Sequence, residues 1–203
     1  MNHDPGGRRK WMRDSALLIG TLWGGTWAGR AVAKRSFAAA RDGFSDGAVP
    51  KVGGQLLLVY VGSSRCGPSN AADLPNLVRS ISGELRAEGA RRGLAFVSVG
   101  VGREVSATSG MVHLHKIAAF DEVAAGQGVL NQASAHFVDR DHRGMAATPQ
   151  LIVLIRRVGA LPAGGVDPGL VSERVLLRKV GLQDIRNWSA LGAPVPESDL
   201  ASA

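Results

Sequence analysis

Along the chain, apolar positions fall into short unbroken runs separated by segments in which they recur every three or four residues. The run QLLLVYV (Gln55–Val61) reads as a strand covered on both faces. Leu74, Leu77, Val78, Ile81 and Leu85 then follow at helical spacing, with Gly93 as a stop. A second buried strand is predicted over Leu94–Val101, and helical periodicity returns over Met111–Gly126. Two further strands are predicted over Pro149–Ile155 and Arg174–Val180, and a short last helix over Gly181–Gly192. Strands alternating with helices imply an α/β domain with a central mixed, partly parallel sheet between helices. Residues 36–54 read as a linker, 55–192 as the domain, and 193–203 as a tail too polar and proline-rich to pack.

Ahead of this domain the pattern is different. Residues 1–14 form a polar, basic tail, and Ser15–Gly29 carries no charge in 15 residues. Residues 15–35 read as a transmembrane anchor or a signal segment. A charged start, a short apolar run and the small residues Ala31–Ala33 suit a cleaved signal, and the RRKWMR run (Arg8–Arg13) resembles a loose twin-arginine export signal. Extension to Ala33 gives 19 residues, close to the roughly twenty that span a bilayer. Gly20 with Gly24 and Gly25 with Gly29 have the spacing that lets two membrane helices approach closely. A glycine-rich leader of low hydrophobicity, with these spacings arising by chance, is the third reading. We favour the anchor on length and glycine spacing. Four basic residues stand on each side of the run, so the positive-inside rule does not decide orientation. A short tail with four positive charges is costly to translocate against the membrane potential, which places the tail inside and the domain outside.

Charge changes the picture only after it is located. Of the formal net charge of +7 over 203 residues, +5 lies within residues 1–35, where seven basic residues oppose Asp4 and Asp14, and +2 remains for everything after. A nearly neutral domain behind a basic leader argues against a nucleic-acid partner. The single cysteine, Cys66, excludes an intrachain disulfide.

Cys66 lies in VYVGSSRCGPSN (Val59–Asn70), at the end of the first predicted strand and the start of the first predicted helix. A thiol at a helix N-terminus beside Arg65 has its thiolate favoured by the dipole and by the neighbouring cation. Other candidates are weaker. His113 and His115 are two apart on a predicted helix and point to different faces, and His136 and His142 are scattered, so no metal pair forms and solvent-facing histidines are expected. Asp121 and Glu122 are adjacent on that helix and read as a solvated face. Gly100 and Gly102 follow a strand without the third glycine of a dinucleotide fingerprint, and no G-x-S-x-G elbow is present.

In this order of elements the chain resembles thioredoxin-fold proteins over roughly residues 50–192. SSRCGPS (Ser63–Ser69) stands where that family carries Cys-Gly-Pro-Cys, and ATPQLIVL (Ala147–Leu154) resembles its Thr-cisPro loop and following strand. The resemblance implies a thioredoxin-like three-layer sandwich with a central mixed sheet, preceded here by the N-terminal hydrophobic helix. It implies Cys66 as the attacking cysteine, Ser69 at the resolving position and Pro149 as the cis proline beside the site. Arg65, Gly67, Pro68 and Thr148 would then line the groove for a substrate or partner.

The departures are as informative. Ser69 cannot resolve a mixed disulfide, Tyr60 falls where thioredoxins have a buried proton-moving Asp, Arg65 falls where they have Trp, and Pro75 is one residue later than the family's helix kink. Phe120–Val138 lies in an insertion that membrane-linked bacterial relatives often carry. These features lead us to expect a membrane-anchored accessory or structural subunit, with the glycine-spaced helix packing on other membrane subunits. It would sit in a bacterial inner membrane with one span and a periplasmic domain, or be exported by a cleaved signal. The rival expectation is a monothiol oxidoreductase or isomerase that exchanges with thiol-containing proteins through Cys66. A third is a peptide-binding chaperone using the groove beside Pro149. No cofactor and no metal are expected.

Overall fold

The structure, a computed structural model, describes residues 52–139, 146–159 and 169–196. The tail, the candidate anchor with Gly20, Gly24, Gly25 and Gly29, His142 and residues 197–203 lie outside the described residues. No helix among the described residues is long and apolar enough to cross a membrane.

The strands are β1 (Gly53–Gly62), β2 (Ala95–Gly102), β3 (Glu122–Ala124), β4 (Gln150–Gly159) and β5 (Gly169–Val180). The longer helices are α1 (Leu74–Arg91), α2 (Ala107–Ile117) and α3 (Leu182–Ala190). The strands form one mixed sheet in the order β3-β2-β1-β4-β5. β1 lies at its centre, parallel to β2 from Gln55 opposite Ala95 to Gly62 opposite Gly102, and antiparallel to β4 from Gly53 opposite Val158 to Val61 opposite Gln150. A strand with neighbours on both sides and cover on both faces needs apolar residues at every position, which is why β1 is an unbroken run.

Side chains alternate across β1 and define two cores. Leu56, Leu58 and Tyr60 face α1, α2 and α3, where Val78, Ile81, Leu114, Ile185 and Trp188 complete the larger core. Leu57, Val59 and Val61 face the other way and are covered by Phe137 and Val138. Those two residues belong to a tight helical segment over 132–139, started by Asn131, whose side chain accepts from the Ala133 and Ser134 N–H groups. Three helices therefore share one face, and this short segment covers the opposite one. The helices sort this way because the chain runs outward from β1 through β2 to β3, and two right-handed crossovers taken in the same direction place α1 and α2 on the same side.

Four expectations are corrected. The helical period over Met111–Gly126 breaks at Ile117, and Glu122–Ala124 becomes the edge strand β3, paired in parallel with Val99–Val101. Asp121 and Glu122 are thus not a solvated helix face. The Asp121 carboxylate accepts from both the backbone N–H and the hydroxyl of Ser98 at 2.7 Å, and Glu122 forms a two-pronged ion pair with Arg156 at 2.6 and 3.2 Å. His113 is not solvent-facing. It is 2 % exposed, on the buried side of α2 with Gly110, Leu114 and Ile117, whereas His115 is exposed. The start of the C-terminal segment packs, with Ala193 buried and the Trp188 indole donating to the Pro194 carbonyl at 3.1 Å.

Candidate functional site

β1 ends at Gly62, and the chain turns sharply through Ser63–Cys66, with the Cys66 N–H donating to the Ser63 carbonyl at 3.1 Å. A single 3-10 turn, Pro68–Asn70, follows. Ala71 then takes an extended conformation, and α1 begins at Leu74 with Pro75 in its first turn, where proline's missing N–H costs nothing. Cys66 is therefore not at the N-terminus of a long helix, which corrects the dipole argument: a three-residue turn carries little macrodipole.

The thiol is half-buried, and its sulfur lies 3.0 Å from the Thr148 carbonyl oxygen. The Thr148–Pro149 peptide is cis. Burial pushes the Cys66 pKa up, but the polar groups of Thr148 and Ser69 around the sulfur more than offset this, so the thiol is shifted below its ordinary value. Arg65 is exposed and is not among the groups that shift the thiol. Its backbone N–H donates to the Ser63 hydroxyl at 3.3 Å.

The loop carrying Thr148 and Pro149 is fastened from two sides. The Gln150 amide donates to the Ala147 carbonyl at 2.5 Å, and Arg103 donates to the Ala146 carbonyl at 3.2 Å. Gln150 is in turn held by Arg178, which donates to its carbonyl at 2.7 Å and to the Phe137 carbonyl at 2.6 Å.

Beneath the turn lies a polar cluster that the sequence pattern did not reveal. Tyr60 is fully buried, stacked on Phe120 with ring centroids 5.8 Å apart, and its hydroxyl is 3.0 Å from His113 Nε2. Ser69 is also fully buried. Its hydroxyl acts electrostatically on both the Cys66 thiol and the Tyr60 phenol, yet completes a well-formed hydrogen bond to neither. Glu104, 6 % exposed, takes the backbone N–H of Ser64 on one carboxylate oxygen and has no partner for the other. Gly102 makes room for that second oxygen, since a Cβ there would lie 2.9 Å from it and 3.2 Å from the Gly110 Cα.

Burial raises the Tyr60 pKa far above the usual phenol range; the Ser69 hydroxyl pulls it back, while Cys66 and Glu104 push it further up. Burial lowers the His113 pKa, with the Glu104 charge opposing and Lys116 reinforcing this. The ring is neutral near pH 7 and can accept from Tyr60. A buried position for His113 was detectable from its i, i+3, i+4, i+7 spacing with Gly110, Leu114 and Ile117. Nothing in the sequence linked Glu104 to the cysteine turn.

A central strand ending in a cysteine turn, faced by a cis-proline loop in a five-stranded mixed sheet with helices, defines a thioredoxin-like α/β fold. The chain is similar to the solved structure of a Chlorobium tepidum protein described as a thiol:disulfide interchange protein DsbE, at 18% identity over 68% of this chain and 79% of that one, with a TM-score of 0.35. It is also similar to a thioredoxin-family thiol:disulfide interchange protein from Chlorobium tepidum TLS, at 18% identity over 69% and 81% of the two chains, with a TM-score of 0.29. No family model and no curated protein matches the chain.

Proposed function

We propose that the domain carries out monothiol thiol–disulfide exchange through Cys66. The observation that carries this reading is the placement of the sulfur: half-buried at the end of the central strand, with its S–H donating at 3.0 Å to the Thr148 carbonyl of the cis-proline loop. The Cys66 thiolate attacks a disulfide R–S–S–R′, the new bond is Cys66 Sγ–S–R, and R′S⁻ leaves and takes a proton. Ser69 cannot attack that bond, so release requires a second, external thiol, which restores the Cys66 thiol and leaves as the oxidised partner. An accessory subunit held by the N-terminal segment, which the sequence pattern favoured, drew on the loss of accessory groups at Tyr60 and Arg65. The buried His113 and Glu104 beside Tyr60 weaken that premise, and thiol exchange takes precedence.

The test is to mix the full chain with oxidised glutathione and follow the adduct by mass spectrometry. We expect a Cys66–glutathione mixed disulfide that persists until reduced glutathione is added. Ser69→Cys should convert it within the same chain to an internal disulfide, and Cys66→Ala should form no adduct. A wild-type chain that forms no adduct under conditions where free cysteine does would refute the reading.

A further inference from the structure

β1, β2 and β3 run parallel and end at one edge of the sheet, with Gly62 opposite Gly102 and Val101 opposite Ala124. β4 begins at the same edge, with Gln150 opposite Val61. Four connections therefore lie side by side there: the Thr148–Pro149 loop, the cysteine turn, the Glu104–Val105 stretch after β2 and the turn over Gly126–Leu130 after β3. In open α/β sheets, ligands bind outside the carboxyl ends of the strands. Glu104 fastens its stretch to the cysteine turn by accepting the Ser64 N–H.

The last two connections turn apolar side chains to solvent. Val105, Val129 and Leu130 are between 65 % and 78 % exposed. Apolar residues scattered singly over a surface are ordinary, but these are contiguous: a Cβ on Gly128, the residue before Val129, would stand 3.4 Å from Val105 Cγ2. Neither Val105–Val112 nor Val123–Ala135 contains an Asp, Glu, Lys or Arg. The outward placement is fixed by the backbone. Gly126, Gln127 and Gly128 are left-handed in succession, at φ 93°, 63° and 57°, and the middle one carries a side chain, which that region disfavours. This strained turn is held by the Gln127 and Gly128 N–H groups, which donate to the Val105 and Glu104 carbonyls at 2.9 Å, and by the buried Asn131 amide, which donates to the Gly126 carbonyl at 3.0 Å.

We infer that Val105, Val129 and Leu130 form a docking ridge for the polypeptide whose disulfide Cys66 attacks, an extended segment with apolar side chains near its cysteine. The inference rests on the thiol-exchange reading above and adds the chemistry of the partner. The ridge stands one and two strand spacings from the cysteine turn, about 5 and 10 Å, on the flank away from the proline loop. A chain lying across the strand ends advances about 3.3 Å per residue, so it brings to the ridge the side chains two and three positions from its reacting cysteine. Glutathione has charged arms and nothing apolar to place there.

The experiment uses the full chain and two short peptides with a central cysteine, each as its mixed disulfide with thionitrobenzoate. One peptide has Val and Leu at the second and third positions on either side of the cysteine; the other has Asn and Ser there. The Cys66 thiolate attacks the peptide sulfur, the bond to Cys66 Sγ forms, the original S–S bond breaks, and the coloured thionitrobenzoate anion leaves, the thiol proton having gone to buffer. We expect wild type to release it about tenfold faster from the apolar peptide than from the polar one. That ratio should fall to about two in a Val129→Ser, Leu130→Ser double variant and keep its wild-type value in Leu191→Ser, a similarly exposed leucine at the end of α3. A wild-type ratio near one, or a ratio the double variant leaves unchanged, overturns the ridge and leaves thiol exchange standing. So does a wild type that sediments as a dimer which the double variant splits, since a second copy would then cover the ridge. No release from either peptide overturns thiol exchange itself.

Discussion

The Tyr60–His113 hydrogen bond is the buried polar contact whose removal tests the cluster most cleanly. Tyr60→Phe deletes one oxygen, leaves the stacked ring in place and strands the Nε2 of a histidine that is 2 % exposed. A bond of this kind contributes about 1 kcal/mol net, but a buried group left without its partner costs about 1–3 kcal/mol, so the variant should lose about 1–3 kcal/mol of stability. His113→Leu should cost a similar amount by stranding the phenol. The double variant removes both polar partners together, so its loss should fall short of the sum of the singles by about 1 kcal/mol or more. Urea unfolding at pH 7.5, followed by far-ultraviolet circular dichroism, measures all four corners of this cycle. A loss below about 0.5 kcal/mol for Tyr60→Phe, or singles that simply add, would show that the two groups do not depend on each other.

Because burial holds the His113 pKa below its ordinary value, the unfolded chain binds this proton more readily than the folded one, and the stability it contributes is present above about pH 6.5 and lost as pH falls below it. The wild type should therefore lose stability more steeply than His113→Leu between pH 7.5 and 5.5, and parallel curves would contradict a neutral buried ring. Phe137→Ala opens the cover of the second sheet face and should cost about 3 kcal/mol in the same urea assay, whereas Leu130→Ala, at 78 % exposure, should change little. Equal effects at the two sites would mean that Phe137 is not the cover.

The sheet was legible because its central strands are buried on both faces and read as unbroken apolar runs, and α1 was legible because one face of it is apolar. β3 was not, since three residues are too few to show alternation, and Ala118, Ala119 and Phe120 prolong the apolar character of α2 up to it. The cysteine turn and the proline loop were legible as local motifs. The cluster beneath them was not, because Tyr60, Glu104 and His113 are brought together by the crossovers from β1 to β2 and from β2 to α2. The lowered thiol pKa was anticipated for a different cause: the polar groups of Ser69 and Thr148 lower it, while only a three-residue turn follows the cysteine and Arg65 is exposed.

Arg178 holds the carbonyl of Phe137 with one nitrogen and the side chain of Gln150 with another, while Gln150 holds Ala147 next to the loop facing Cys66. Roof and reactive loop are thus riveted to one guanidinium. The stretch that closes the second face cannot be trimmed or exchanged as a passive decoration: excising it would bare a sheet and take away one of the groups that orient the arginine behind the loop opposite the sulfur. Any chimera that borrows this scaffold must carry the roof, the arginine and the loop together.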